Sequence, residues 1–224
     1  MKLIIIYDNE VYKKGIDLIS DWGFACLIKT KYDTILFDTG AKGRILLQNM
    51  NKLNIDPSNI KKIVISHNHG DHNGGLKSLI PLMNNVDLYQ LIYEAPSNNM
   101  KIIIPEMPKE ISENVWTIGR IKGIVDEQSL VLKGEKGWYV LTGCSHPGVE
   151  KIMLAARQIG DIVGIIGGFH GFKNFSVIQD LDFICPCHCT AHKRDLKKIF
   201  PNVTYDCGVG KSVDLNVETW SHRI

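Results

Sequence analysis

Ser66-His67-Asn68-His69-Gly70-Asp71-His72-Asn73-Gly74-Gly75 places three histidines and a carboxylate within six residues, directly after the apolar run Ile63-Val64-Ile65. Imidazole nitrogens and carboxylate oxygens are the donors that borderline divalent metals such as zinc take. Side chains of an extended chain alternate with period two, so His67 and His69 leave a strand on the same side and can reach one ion. Asp71 and His72 follow the chain round the turn and can reach a second ion beside the first. The stretch reads as a metal site rather than a polar surface loop.

These donors need a frame, and the apolar pattern supplies one. Met1 to Tyr7 reads as a first strand. Phe24 to Lys29 and Thr34 to Phe37 flank the turn-like Lys31-Tyr32-Asp33 as a hairpin. A helix follows, with Ile45, Leu46, Met50 and Leu53 near helical spacing and Asp56-Pro57 closing it. The strand Ile63–Ile65 then leads through the histidine loop to a helix carrying Leu76, Leu79, Ile80 and Met83. From about Asn84 to Glu113 the pattern is broken by Pro96-Ser97-Asn98-Asn99, Pro105 and Pro108.

The second part repeats this grammar. Strands at Ser129–Lys133 and Trp138–Leu141 run into Thr142-Gly143-Cys144-Ser145-His146-Pro147-Gly148 and a helix bearing Val149, Ile152, Met153, Ala156 and Ile159. The strand Ile162–Ile166 ends at Gly167-Gly168-Phe169-His170, and Phe183-Ile184 precedes Cys185-Pro186-Cys187-His188-Cys189-Thr190. A basic helix, His192 to Phe200, and a short last strand complete the chain. Seven of the eight histidines fall in these polar motifs, and only His222 does not. Such motifs at strand ends are where a rigid sheet presents reactive groups.

The bulk properties narrow the partners. With 224 residues, the chain can bury one sizeable core. A formal net charge of +2 gives no electrostatic reason for a nucleic-acid or membrane partner. No apolar run approaches the ~20 residues that span a bilayer, and the N-terminal apolar run is too short for a signal peptide. Three of the six cysteines crowd into Cys185–Cys189, poor spacing for a disulfide framework, so reduced thiols in a cytoplasmic protein are expected.

The order Asp38-Thr39-Gly40, His67-x-His69-x-Asp71-His72, His146, His188 resembles the metallo-β-lactamase superfamily over nearly the whole chain. The resemblance implies a single domain over 1–224 of α+β class, a four-layer αββα sandwich of two mixed sheets with outer helices and metals at one edge. Glu127-Gln128-Ser129-Leu130, Thr142–Gly148, Gly167–His170 and His188-Cys189-Thr190 further resemble the branch that includes 7,8-dihydropterin-6-methyl-4-(β-D-ribofuranosyl)-aminobenzene-5′-phosphate synthases.

Carried over, the resemblance implies that His67, His69 and His146 hold one divalent ion and that Asp71, His72 and His188 hold another. Zinc is the first expectation, with manganese or iron as alternatives. Asp38 would accept a hydrogen bond from a ligand imidazole and fix its tautomer. Many superfamily members carry a metal-bridging aspartate where this chain has Gly168-Phe169-His170, and Asp161 and Asp180 are misplaced for that role. The second ion is therefore expected either as a labile companion to the first or as tightly held as it is, with the His67/His69/His146 site the firmer of the two.

The chemistry implied is hydrolysis of a small phosphorylated or ester-type metabolite by metal-activated water, whose pKa falls from 15.7 to about 7 on zinc. Asp71 would orient the water or take its proton, and His170 would protonate a leaving group, hold a phosphate or remain structural. The alternatives are the branch's condensing reaction, a di-iron redox centre and a non-catalytic scaffold.

Other signals are weaker. Gly208-Val209-Gly210-Lys211-Ser212 lacks the P-loop glycine, since Tyr205 stands there, and reads as a turn. Cys185-x-Cys187-x-Cys189 is poorly spaced for zinc, and Cys144 and Cys189 read as small buried residues beside ligands. Glu127 and Gln128 read as near the pocket or as a polar turn. A helix would align His192 with His188 as a substitute ligand.

Overall fold

Apolar residues alternate along most strands, and each alternate set has its own partner to pack against. In the computed structural model, which describes residues 1–93 and 100–217, this alternation builds two facing sheets with helices outside. Pro96, Ser97, Asn98, Asn99 and His222 lie outside the described residues.

The first sheet contains β1 (Lys2–Tyr7), β2 (Ala25–Lys29), β3 (Thr34–Phe37), β4 (Lys62–Val64), β5 (Val86–Tyr89), β6 (Met100–Ile103) and, at its other edge beside β1, a strand from the chain's end. The second contains β7 (Lys109–Ser112), β8 (Val115–Thr117), β9 (Leu130–Lys133), β10 (Trp138–Thr142), β11 (Ile162–Gly168) and β12 (Phe183–Cys187). The strand that closes the first sheet is β13 (Ser212–Asp214), so the last element returns to the first.

Both sheets are mixed in the same sense. The run β13-β1-β2-β3 is antiparallel, and β3 through β6 are parallel. Likewise β7 through β10 are antiparallel, and β10, β11 and β12 are parallel. Parallel neighbours end at the same edge, and that edge carries every histidine motif.

The layers follow from the alternation. Ile35, Phe37 and Val64 face inward to meet Leu130, Leu132, Tyr139, Leu141 and Ile166 of the opposite sheet. Leu36 and Ile63 face outward, under Ile45, Leu46 and Met50 of α1 (Gly43–Lys52). The short α2 (Gly70–Asn73) follows the histidine motif, and Leu76 and Leu79 of α3 (Leu76–Leu79) join the outward core. On the far side, Val140, Ile165 and Ile184 lie under α4 (Val149–Ala156) and Leu196 of α5 (Lys193–Ile199). This is the α+β four-layer sandwich.

Some elements differ from the sequence reading. The helix expected through Met83 is one turn of α-helix followed by a 3₁₀ turn, Ile80–Leu82, because Pro81 cannot donate a helical hydrogen bond. The illegible middle contains three short strands: β5 and β6 pair across intervening chain with β4 and β5, and β7 forms a tight hairpin with β8. Gly208 to Ser212 is a turn into β13, with positive φ at Gly208 and Gly210.

Asp33, in the β2–β3 turn, ties the two sheets together. It accepts from Lys62 Nζ at 2.7 Å and from the Ser112 hydroxyl of β7. Burial opposes its ionisation, but Lys62 and Ser112 outweigh it and hold the carboxyl below its ordinary value of 3.8. A depressed folded pKa stabilises above the unfolded value and loses that contribution as pH falls through the folded one. Asp33→Asn should therefore cost about 1 kcal/mol at pH 7, a difference that shrinks below pH 3.8. Urea unfolding of both proteins across that range checks it.

Candidate metal centre

Asp38 leaves the end of β3 fully buried, with φ of 57°. Its Oδ1 accepts from Ser66 N at 2.7 Å, and its Oδ2 from Ser66 Oγ at 2.8 Å and His72 Nδ1 at 2.6 Å. Ser66 spends its one proton on Asp38, so its oxygen can only accept from His67 Nδ1, 2.9 Å away. One carboxylate thus puts the protons of both His67 and His72 on Nδ1 and leaves each Nε2 lone pair free. Gly40 completes the motif, because a Cβ there would strike the Tyr7 ring at 2.4 Å.

His188 receives the same treatment from the start of the chain. Asn9 Nδ2 donates to His188 O at 3.2 Å, and Gly23 N donates to Asn9 Oδ1 at 3.2 Å, which fixes the amide's orientation. His188 Nδ1 therefore donates to Asn9 Oδ1 at 2.9 Å. Its backbone N–H donates to Asp8 Oδ2 at 3.0 Å. Burial pushes the Asp8 carboxyl up to about 6.

The loop from Thr142 to His146 closes round Glu127, which is fully buried. Glu127 Oε1 accepts from the backbone of Gly143, Cys144 and Ser145 at 2.9–3.1 Å and from Thr142 Oγ1 at 3.1 Å. Its Oε2 accepts from His146 N at 2.8 Å. Burial pushes this carboxyl up, against the pull of those donors.

The six expected ligands converge. His67 Nε2 faces His69 Nδ1 at 3.1 Å, and the His146 ring lies 4.6 and 4.9 Å from the rings of His67 and His69. Asp71 Oδ2 lies 3.2 Å from His188 Nε2 and 3.8 Å from His72 Nε2. The Nε2 atoms of His146 and His188 are buried and make no hydrogen bond. A buried imidazole nitrogen with a free lone pair is costly unless it has a partner, and divalent cations supply one.

The electrostatics agree with neutral donors. Burial pushes His146 down to about 4 and also lowers His67 and His188. Burial opposes the charged form of His72 as well, but Asp38 outweighs it and raises this one imidazole. The His188 ring beside it leads the causes that hold Asp71 well below the usual carboxylate range.

Several placements lay beyond sequence reasoning. Cys144, read as a small buried residue, is buried, but its Sγ lies 3.1 Å from His72 Nε2. Trp22 Nε1 donates to Asp71 Oδ2 at 2.9 Å, and its ring lies edge-on to His188 at 4.9 Å. Neither Trp22 nor Asn9 sits in a recognisable motif. Gln128 does not line the site; it donates to Ile65 O and Tyr89 O and accepts from Thr117 Oγ1, bridging the sheets.

His170 is exposed, its ring 5.1 Å from that of His146. The helical alignment of His192 with His188 does not occur. His188 has φ of 42°, α5 begins at Lys193, and the His192 ring bonds to Asp195. Cys185 and Cys187 lie in the inter-sheet core as expected, and Cys207 joins them with all three sulfurs within 4.8 Å.

A two-sheet sandwich with histidine motifs gathered at the ends of its parallel strands is the metallo-β-lactamase fold. The chain superimposes on a metal-dependent hydrolase of the β-lactamase superfamily with a TM-score of 0.77 and 25% identity, covering 97% of this chain and all of that one. A diphosphatase from the PhnP family shares the fold at a TM-score of 0.64 and 12% identity, over 96% of this chain and 98% of that one.

A family model for the anti-Pycsar protein Apyc1 matches residues 19–128, a stretch that holds His67 to His72 but ends before His146. Two curated relatives come from Methanocaldococcus jannaschii. A 7,8-dihydropterin-6-methyl-4-(β-D-ribofuranosyl)-aminobenzene-5′-phosphate synthase is 26% identical over 72% of this chain and 76% of its own. An uncharacterized protein is 28% identical over 84% and 90%.

Glu127→Ala leaves five buried donors without their acceptor. Each unsatisfied group costs about 1–3 kcal/mol before the loop relaxes. The expected loss is about 3 kcal/mol or more by denaturant unfolding, and less for Glu127→Gln, which keeps one acceptor oxygen. An alanine variant within about 0.5 kcal/mol of wild type would mean that another contact holds the loop.

Proposed function

We propose that the protein is a metal-dependent hydrolase of a small phosphorylated or ester-type metabolite, acting in the cytoplasm without a nucleic-acid or membrane partner. One observation carries this reading: the imidazoles of His67, His69, His72, His146 and His188 and the Asp71 carboxylate converge on one strand edge, with the tautomers of His67, His72 and His188 set for ligation. The residues fit two divalent ions, one held by His67, His69 and His146, the other by Asp71, His72 and His188. Zinc suits this donor set, and manganese and iron are the alternatives. Such ions lower the pKa of bound water to about 7 and polarise an ester or phosphoryl oxygen.

The chain's own residues do the rest. Asp71 is ionised at neutral pH and can accept the proton of an attacking water at Oδ2 while Trp22 holds it in place. His146 and His170 border a cavity of ≈ 700 Å³ that also has Lys173, Asn174 and the apolar Ile124 and Phe172 in its walls. Lys173 suits an anionic substrate group, and His170 is placed to protonate a leaving oxygen. Six free cysteines and the absence, among the described residues, of a helix long and apolar enough to cross a membrane are compatible with the proposed compartment.

The 26% identity to the synthase favours one second reading, a condensation that joins a pterin pyrophosphate to a ribosylaminobenzene phosphate and expels pyrophosphate. The two differ in product, an acid formed by adding water against a joined product plus pyrophosphate.

Elemental analysis should find up to two divalent ions per chain. A screen of phosphodiesters, thioesters and lactones should show turnover in one class, abolished by chelation and restored by zinc or manganese. His67→Ala should lower that turnover by about 100-fold or more. Background turnover in all three classes, with stoichiometric pyrophosphate release from the pterin substrates, would establish the second reading instead. His170→Ala should lower kcat with full metal content, and unchanged turnover would remove it from the mechanism.

A further inference from the structure

Cys144 is the donor common to two groups of potential ligands at this edge. Its Sγ lies within 4.8 Å of donor nitrogens of His67 and His146, and equally within 4.8 Å of donor nitrogens of His72 and His188. The first pair belongs to one half-site and the second pair to the other. We propose that the Cys144 thiolate bridges the two metal ions, taking the place of the carboxylate that this chain lacks in Gly168-Phe169-His170. The inference rests on the metal-centre reading above and adds its bridging ligand.

Three features of the chain support it. First, one of the positions that could carry such a carboxylate, Gly168, is closed. A Cβ on Gly168 would lie 2.4 Å from Gly143 O, 2.7 Å from Cys189 Sγ and 3.3 Å from Cys144 Cα, so no side chain can grow there without moving backbone. The space that a side chain would need there is taken by the Gly143 carbonyl and the Cys189 sulfur.

Second, Cys144 is fixed in place. Its N–H is held by Glu127 Oε1 at 2.9 Å, its side chain is buried, and the following residue, Ser145, is in the left-handed region at φ of 62°. A non-glycine residue in that region is strained and persists only where its surroundings impose it. The strain turns the chain so that Cys144 and His146 both face the metal edge.

Third, the thiol points at a lone pair. His72 Nδ1 is committed to Asp38, so Nε2 faces Cys144 Sγ at 3.1 Å as an acceptor. Two soft donors that share one proton at that separation can share one cation once the proton leaves. Loading the site breaks the S–H bond, sends its proton to solvent and forms two metal–sulfur bonds from the same thiolate. Thiolate favours zinc over manganese, so the bridge also selects the metal.

The test loads reduced protein with two equivalents of zinc, in the presence of a phosphine reductant. X-ray absorption at the zinc edge should show sulfur at about 2.3 Å beside nitrogen and oxygen at about 2.0–2.1 Å. Cadmium-113 spectra of the cadmium-loaded protein should show two resonances, both displaced downfield by sulfur. Cys144→Ser and Cys144→Ala should lose the sulfur contribution and weaken the second ion by about 10–100-fold, while Cys189→Ser keeps both. Circular dichroism confirms that each variant is folded.

A sulfur contribution that survives in folded Cys144→Ala assigns it to another cysteine and overturns the proposal. Only one downfield resonance would make Cys144 a ligand of a single ion and overturn the bridge. Two bound zinc ions with no sulfur would overturn it while leaving the metal-centre reading intact. Wild-type protein that binds no zinc under loading would overturn both.

Discussion

The metal edge depends on one buried carboxylate. Asp38 accepts three hydrogen bonds, from Ser66 N, Ser66 Oγ and His72 Nδ1. Removing a carboxylate from water is costly, and such a group persists only where donors compensate it. Here the compensation does chemical work as well. Each donor proton committed to Asp38, directly or through Ser66, is a proton kept off the Nε2 atom that faces the centre. Asn9 does for His188 what Asp38 does for His72.

A second buried carboxylate, Glu127, performs the matching task on the opposite sheet. Asp38 orders side chains, whereas Glu127 orders backbone, gathering consecutive N–H groups of the loop after β10. The two halves of the centre are therefore built by the same device at the ends of parallel strands from different sheets. The cost appears in the backbone. Asp38, Ser145, His170 and His188 all have positive φ, while among the described residues the other non-glycine residues in that region are asparagines, which tolerate it. Strain of this kind concentrates where a site must be held in one shape.

Much of the frame was legible in the sequence. The hairpin β2–β3, the helix α1, and the strands β10 and β11 follow from local apolar periodicity, which survives because each strand buries both faces against different layers. The stretch between Asn84 and Glu113 was not legible, since β5, β6 and β7 are only four residues each, too short for a clear alternation between prolines. The helix after the histidine motif was overextended because Pro81 breaks it. His192 was offered as a substitute ligand on a helical spacing that the turn at His188 does not adopt.

The sequence by itself determined the donor types, their order along the chain and their positions at strand ends, because those are local properties of residue and period. It also exposed the missing acid within Gly168-Phe169-His170, since a motif can be checked segment by segment. Only the tertiary structure decided which donors face one another. Asn9 reaches His188 across 179 residues and Trp22 reaches Asp71 across 49, contacts that no local pattern encodes. Cys144, unremarkable as a letter in a loop, stands between the two histidine groups because strands of separate sheets end side by side. Packing of the two sheets brings those ends together, and with them the chemistry.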